Sequence, residues 1–445
     1  MTLTDRKSGQ TGRAGRFMTT ITPAERAAKT EAESPKGFRA AFGFVFVTVV
    51  LDLAALGIVI PVLPQLLMQI MEVGAAEAAK TLGGLIFLWA SMQFIASPIL
   101  GAASDMLGRR PIILWSNFGL AMSYFIASLA TSLPMLILAR VVSGVSAASM
   151  STAQAYIADI TPPEKRAQRF GVIGAAFGVG FVLGPAIGGL LGELDLRAPF
   201  YAAGALCLAN GLYGLFVLPE SLPKERRAPF NWRKANPLGS FDLFVRTPNL
   251  GFIALAVFLS SLALQVQPST MVLFGEARFG WGAGEAGAVL AVIGLCSMIV
   301  SGFLVGRIVR KIGETRAWAM GLAFGAMGFI GYGAAPSGVW FFASIPLLAL
   351  WGIAGPATQS LATQRVQPTE QGRLQGGLSS LMGLAGMIGP ILFTQIFAYG
   401  AAPDGPGLPG LAFFTAAGVL LTALGVALVE GAAIRRRQAV AALAP

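Results

Sequence analysis

The sequence predicts an all-α membrane protein whose twelve transmembrane helices form two pseudo-symmetric six-helix bundles. Three observations carry that expectation. Of 445 residues, 55% are hydrophobic and only 12% are charged, about half the ~25% charged share of a soluble domain. Mostly apolar runs recur at roughly 18 to 26 residues, the length a helix needs to cross ~30 Å of hydrocarbon. Lysine and arginine, finally, collect on alternate connections between those runs, as the positive-inside bias demands.

Residues 1–40 hold eight basic and four acidic side chains and no apolar core. A secretory signal needs such a core and a small-residue cleavage site. The segment therefore reads as a disordered cytoplasmic tail, with Met18 as an alternative start. The N-terminal bundle follows at 41–218, with spans near 41–66, 82–100, 111–130, 134–158, 170–192 and 199–218. Residues 219–249, basic and rich in turn formers, read as a cytoplasmic linker loop. The C-terminal bundle takes 250–430, with spans near 250–273, 285–306, 317–334, 338–361, 375–398 and 409–429, and 431–445 form a second cytoplasmic tail.

With both termini cytoplasmic, 28 of the 32 Lys and Arg face the cytoplasm, Lys80, Arg197 and Arg278 face outward, and Arg140 lies within a span. An odd number of spans would destroy that asymmetry. The net charge of +11 is thus a topology signal, and no nucleic-acid partner is expected; the surroundings are the lipid bilayer. The halves also look duplicated. Gly101 and Gly302 stand 201 apart after spans 2 and 8, and Pro185 and Pro390 stand 205 apart in spans 5 and 11. Duplicated halves around a midplane site are a common plan of secondary transporters.

Chemistry has few residues to work with. Cys207 and Cys296, the two cysteines, sit in apolar runs, so no disulfide framework or CxxC metal site is expected. Histidine is absent, which removes histidine metal sites, His-dependent triads and the usual group that titrates near neutral pH. Proton chemistry falls to carboxylates. No GxxxxGK(S/T) phosphate loop or GxSxG nucleophile turn occurs. The protein is therefore expected not to be an enzyme and to need no cofactor beyond a proton gradient.

Asp52, about eleven residues into span 1, is the acid placed well inside a span. A carboxylate at mid-bilayer costs on the order of 3 kcal/mol on insertion scales, so it should face a cavity and exchange protons, or else hydrogen-bond a neighbouring helix as a structural acid. Arg140 in span 4 cannot lose its proton and reads as a fixed countercharge, or as a side chain snorkelling to the outer surface. The stretch 101–111, with Gly101, Asp105, Gly108, Arg109 and Arg110, reads as a charged turn about ten residues long, its glycines reversing the chain and Asp105 left to bind an arginine or a helix amino end. In span 5, Gly180, Gly184 and Gly188 share one face for close helix contact, and Pro185 can bend the helix. Gln93, Asn117, Gln154, Gln265, Gln267, Gln359 and Gln395 are the in-span amides noted, candidates for a cavity lining with Trp89, Phe177, Phe181 and Phe393, or for interhelical hydrogen bonds. Such a lining suits flat, mostly apolar molecules.

These stretches resemble the major facilitator superfamily. Residues 101–111 resemble its GxxxDxxGRRP signature after span 2, the Arg140 segment looks like its RxxxG pattern in span 4, and span 5, ending GPxxGG, looks like the motif of its drug:proton antiporters. With Asp52, Pro61 and Pro64 in span 1, the likeness runs through nearly all of 41–430. The twelve-span tetracycline efflux pumps resemble the chain further at Val272 to Trp281 and Gly372 to Gly389.

The resemblance implies the major facilitator fold and a monomeric proton-coupled antiporter. It would export drug-like amphipathic compounds, tetracycline-type, across the bacterial inner membrane by alternating access. It implies proton coupling through Asp52 and Arg140, matches Gln93 to the family's span-2 glutamine, and puts Asp105 against the amino end of span 11, near Arg373 to Gly376, as a cytoplasmic gate supported by Arg109 and Arg110. Four departures bear on the drug. Ser123 replaces a span-3 acid, Ser297 beside Cys296 replaces a span-8 histidine, residues 317–334 lack an acid, and Met106 replaces a basic residue of the turn. A metabolite:proton symporter on the same fold and a non-transporting binding or signalling protein are the alternative readings.

Overall fold

The computed structural model describes residues 36–147, 149–161, 163–230, 241–247, 250–367 and 370–443. The expected disordered tail up to residue 35, with Met18, lies outside the described residues. Each predicted span corresponds to a helix or a pair of stacked helices. Span 1 is Lys36–Val59 followed by Leu63–Met71. The break falls at Pro61, and Pro64 opens the second helix, where a missing N–H costs nothing. Spans 2 to 6 follow as Ala75–Leu107, Arg109–Ser128, Leu133–Ser146 with Ser149–Ile160, Pro163–Leu194, and Ala198–Val217.

In the second half, span 7 is Leu250–Leu264 with Val266–Phe279. Span 8 is Ala283–Ile299, a π-helical turn at Val300–Leu304, and Val305–Ile312. Span 9 is Glu314–Ala334, span 10 is Gly338–Ala349 with Ala354–Thr363, span 11 is Gln371–Ala401, and span 12 is Leu411–Leu443. Among the described residues 11 helical stretches are long and apolar enough to cross a membrane, and span 5 adds the apolar stretch Gly178–Leu194. Two expected loops are more ordered than the sequence suggested. The linker contains a helix, Phe241–Arg246, held by the buried Leu243 and Phe244. The last span continues as helix to Leu443, past the expected end at 429; side chains from 432 onward, Arg435 to Arg437 included, lie outside the described ones.

The charged turn at 101–111 needs correction. Residues 101–107 are the last turns of span 2, and the reversal is made by Gly108 alone, at φ 110° and ψ 160°. Charges do not break a helix; a backbone geometry open essentially to glycine alone does. Gly101 is helical, and a methyl there would meet no atom within 4 Å. The counterpart of Gly108 is Gly313, at φ 80° and ψ 162°, joining spans 8 and 9. It lies 205 residues later. Ser132 and Ser337, extended residues that start spans 4 and 10, stand at the same interval, as do Pro185 and Pro390 within spans 5 and 11. The Gly101–Gly302 interval of 201 pairs unlike positions, since Gly302 falls in the π-helical turn.

The two halves meet along two seams. Span 5 lies on span 8, where a methyl on Gly189 would stand 2.8 Å from the Ala283 carbonyl oxygen and 3.0 Å from Gly287 Cα. Span 2 lies on span 11, where a methyl on Gly83 would stand 3.2 Å from the Pro390 carbonyl oxygen. Both contacts lie toward the end opposite the Gly108 and Gly313 turns. Near the end that carries those turns, Gly101, Gly302 and Gly306 have no atom within 4 Å of a would-be Cβ. The bundles are closed against each other at the distal end.

Gly108 and Gly313, two of the four positive-φ glycines among the described residues, separate backbone strain from collision. Replacing either by Ala should cost ~1–3 kcal/mol in backbone strain. Only Gly108→Ala would also collide, its Cβ falling 2.7 Å from Glu220 Cδ and 2.9 Å from Arg227 Nη2. The thermal midpoint of the purified protein, followed by tryptophan fluorescence, should drop further for Gly108→Ala than for Gly313→Ala. Equal drops would refute the steric part.

Candidate functional site: an acid in span 1 and a neutral cavity

The place of Asp52 is set by the residues after it. Span 5 presents its glycines to span 1: a methyl on Gly180 would lie 2.6 Å from Leu53 Cβ, on Gly184 2.7 Å from Gly57 Cα, and on Gly188 2.7 Å from the Ile58 carbonyl carbon. Helices in lipid gain by packing rather than by hydrophobic exclusion, so this backbone contact fixes the rotation of span 1. The helix of span 5 continues through Pro185.

Turned in this way, the half-buried Asp52 meets span 6. Asn210 Nδ2 donates to Asp52 Oδ1 at 3.1 Å, and also lies 3.0 Å from Asn117 Oδ1 of span 3 and 3.2 Å from the Thr48 carbonyl oxygen. Asn117 in turn donates to the Ile113 carbonyl at 3.0 Å. Tyr124 of span 3 lies within electrostatic range of Asp52, Cys207 and Arg140 alike, so the half-buried Arg140 shares a neighbour with the acid. Asn210 was missed by sequence reasoning, although the search for in-span amides would have found it.

The charged cluster at the Gly108 turn is fastened within its own bundle. Arg109 pairs with Asp105 at 2.6 Å and with Asp159 of span 4 at 3.1 Å, and its Nη1 donates to Ser104 Oγ at 2.6 Å. Glu220, just past span 6, accepts the main-chain N–H groups of Arg109, Arg110 and Leu222 at 2.8, 3.3 and 3.0 Å. A carboxylate there satisfies the open amino end of span 3 and its dipole. Arg110 Nη2 donates to the Leu215 carbonyl at 2.6 Å. Asp159 and Glu220 carried no sequence signal beyond being acids near a basic turn. In the other half, the buried Glu430 pairs with Arg365 at 2.7 Å, one residue beyond the expected end of span 12.

A cavity of about 450 Å³ opens in the second half, among spans 7 to 11, within the usual ~300–1,000 Å³ range for small-molecule sites. Gln267, Ser297, Tyr332, Trp351, Thr358 and Gln359 give it polar and aromatic surface, and none of its lining side chains is charged. Of the expected lining residues, Gln267 and Gln359 are there, whereas Gln265 packs under Gly389 of span 11, its Cβ 2.5 Å from where a methyl would stand. Gln93 is half-buried in span 2 and Gln154 exposed in span 4. Phe393 is fully buried in the core and does not line the cavity. The side chain of Phe177 lies outside the described ones. Ser297, which by the resemblance replaces a span-8 histidine, faces the cavity.

Two duplicated helical bundles clasped at one end, one of them holding such a cavity, have the architecture of a secondary transporter. The profile of the Major Facilitator Superfamily matches residues 45–390, and the chain belongs to that family. It is 40% identical to the class C tetracycline resistance protein of Escherichia coli, over 85% of this chain and 93% of that one, and 36% identical to the class E protein of Escherichia coli, over 79% and 86%. The crystal structure of the human organic anion transporter MFSD10 superposes with a TM-score of 0.65 at 26% identity, covering 88% of this chain and 99% of that one.

Glu220 offers a direct check on the turn. Glu220→Gln keeps the shape and removes the charge, and charged hydrogen bonds contribute ~1.5–3 kcal/mol where buried. This site is partly solvated, so about 1 kcal/mol is expected. The thermal midpoint should fall at low salt, and the deficit should shrink at high salt. No salt dependence would show that charge is not what Glu220 contributes.

Proposed function

We propose that the protein exports a flat, mostly apolar, tetracycline-type compound in exchange for protons. The observation that carries this is the pairing of one half-buried acid, Asp52 held by Asn210, with a neutral cavity lined by Trp351 and amides in a family whose similar members are named for tetracycline resistance. Asp52 takes and gives the proton, and Arg140, as fixed positive charge, biases it through their shared neighbour Tyr124. Binding and movement suffice; no bond of the substrate is made or broken. One proton moving through 100 mV supplies about 2.3 kcal/mol, so no cofactor is needed.

On this reading the chain is a monomer in the inner membrane of a bacterium with both termini in the cytoplasm, an orientation that the charge bias supports. On that orientation the distal seam is the outer side, and the bundles are closed against each other there. When the molecule opens outward instead, Asp105 would turn from Arg109 to the amino end of span 11 and hold the cytoplasmic side shut. A neutral lining selects the stacking and hydrogen-bonding surface of the compound rather than its charge.

Everted vesicles with a pH-sensitive dye test this. Adding tetracycline to acidified wild-type vesicles should release protons from the lumen, and Asp52→Asn, at equal membrane abundance, should remove at least nine-tenths of that signal, on the order of the loss from deleting a proton carrier. Proton release that survives Asp52→Asn would overturn the assignment.

A further inference from the structure

The polar knot around Asp52 carries one inference more, resting on the reading of Asp52 as proton carrier. Asn210 is 1% exposed. Its Nδ2 faces three oxygens, on Asp52, Asn117 and Thr48, but an amide nitrogen has only two hydrogens to give. Its Oδ1 is buried and accepts no hydrogen bond from the protein. Leaving a buried acceptor unused is costly, and here it sits on the side chain that touches the acid. The amide is oversubscribed at one end and idle at the other.

The charge on Asp52 decides which end fits. An ionised carboxylate only accepts, whereas a protonated one also donates. The terminal torsion of asparagine is broad and two-fold, so the amide can turn over and offer Oδ1 to the protonated acid. Nδ2 then leaves Asn117 and Thr48. We propose that Asn210 is the positioning residue that reads the protonation state of Asp52. As a donor it ties span 1 to spans 3 and 6 while the acid is charged; as an acceptor it lets go of span 3 once the acid is neutral. The proton stays on Asp52 throughout and the amide exchanges none.

Other groups of spans 3 to 6 also face the acid or the stretch of span 1 that carries it. Tyr124 from span 3 and Cys207 from span 6 interact electrostatically with Asp52, and Arg140 from span 4 with Tyr124. Span 5 presents glycine, at Gly180 and Gly184, to the adjoining stretch of span 1. The hydrogen bond from Asn210 Nδ2 ties Asp52 to span 6, and the same Nδ2 reaches Asn117 of span 3.

Infrared pH titration of the purified full-length protein tests this without a substrate. The carboxyl C=O band that disappears in Asp52→Asn belongs to Asp52, and its midpoint is followed in two variants. Asn210→Leu removes donor and acceptor at similar volume; the charged form loses its donor, so the midpoint should rise by about one pH unit, a tenfold tighter hold on the proton. Asn210→Ser keeps both functions in one hydroxyl and should restore most of the shift. If Asn210→Leu does not accumulate, Asn117→Leu asks the same question from span 3: freeing Nδ2 for Asp52 should move the midpoint down. Midpoints unmoved in these variants would overturn the role of Asn210 alone. A titration in which Asp52→Asn removes no band would instead overturn the proton-carrier reading, and this role with it.

Discussion

Span 5 is gripped by backbone on two sides, and the geometry of the rest depends on it. Gly180, Gly184 and Gly188 seat Leu53 to Ile58 of span 1, while Gly189 meets Gly287 and Ala283 of span 8 in the other half. In lipid the tails are as apolar as any leucine, so helices hold together by close fit. Side chains at these positions would push the axes apart, and with them the one acid whose rotation they set. The same helix therefore fixes the proton site and forms the joint between the bundles.

Charge is distributed to leave that joint free. At the basic end, Glu220 closes the amino end of span 3 and Arg109 bridges Asp105 and Asp159. In the second half, Arg365 pairs with Glu430, and Glu314 of span 9 accepts from Ser360 and Gln364 of span 10. Each of these contacts joins elements of one bundle. They stiffen the halves as separate bodies, which is what a rocking motion about a shared seam requires.

The sequence disclosed what the bilayer dictates and hid what side-chain direction decides. Span number and the glycine face of span 5 were legible because length, charge side and i, i+4 spacing are imposed by the hydrocarbon slab and helix geometry. The extent of the 101–111 turn was not, because acids and arginines sit as well in a final helical turn as in a loop; only the φ of Gly108 tells them apart. Phe393 and Gln265 were expected at the cavity and belong to the packing instead. A helix apolar on every side carries no periodic mark of which face meets core and which meets a cavity. Asn210 was legible as an in-span amide but its role was not: that lies in three partners from two other spans, and no local pattern encodes a meeting of that kind.

The separation of acid and cavity sets the form that coupling takes. Asp52 lies among spans 1, 3 and 6 of the first half, whereas the neutral cavity is lined from spans 7 to 11 of the second. On the proposed mechanism the acid and the compound sit on different bundles, so exchange need not rest on competition for one shared site. What the two places share is structure: span 1 rests on span 5, span 5 on span 8, and span 8 supplies Ser297 to the cavity wall. A proton that alters how span 1 sits can reach the substrate only by shifting that stack between two arrangements, and a substrate can favour one arrangement only by binding it better. On the proposed mechanism, coupling is mechanical, carried along a line of glycines that permits movement because it contains almost no side chains to interlock.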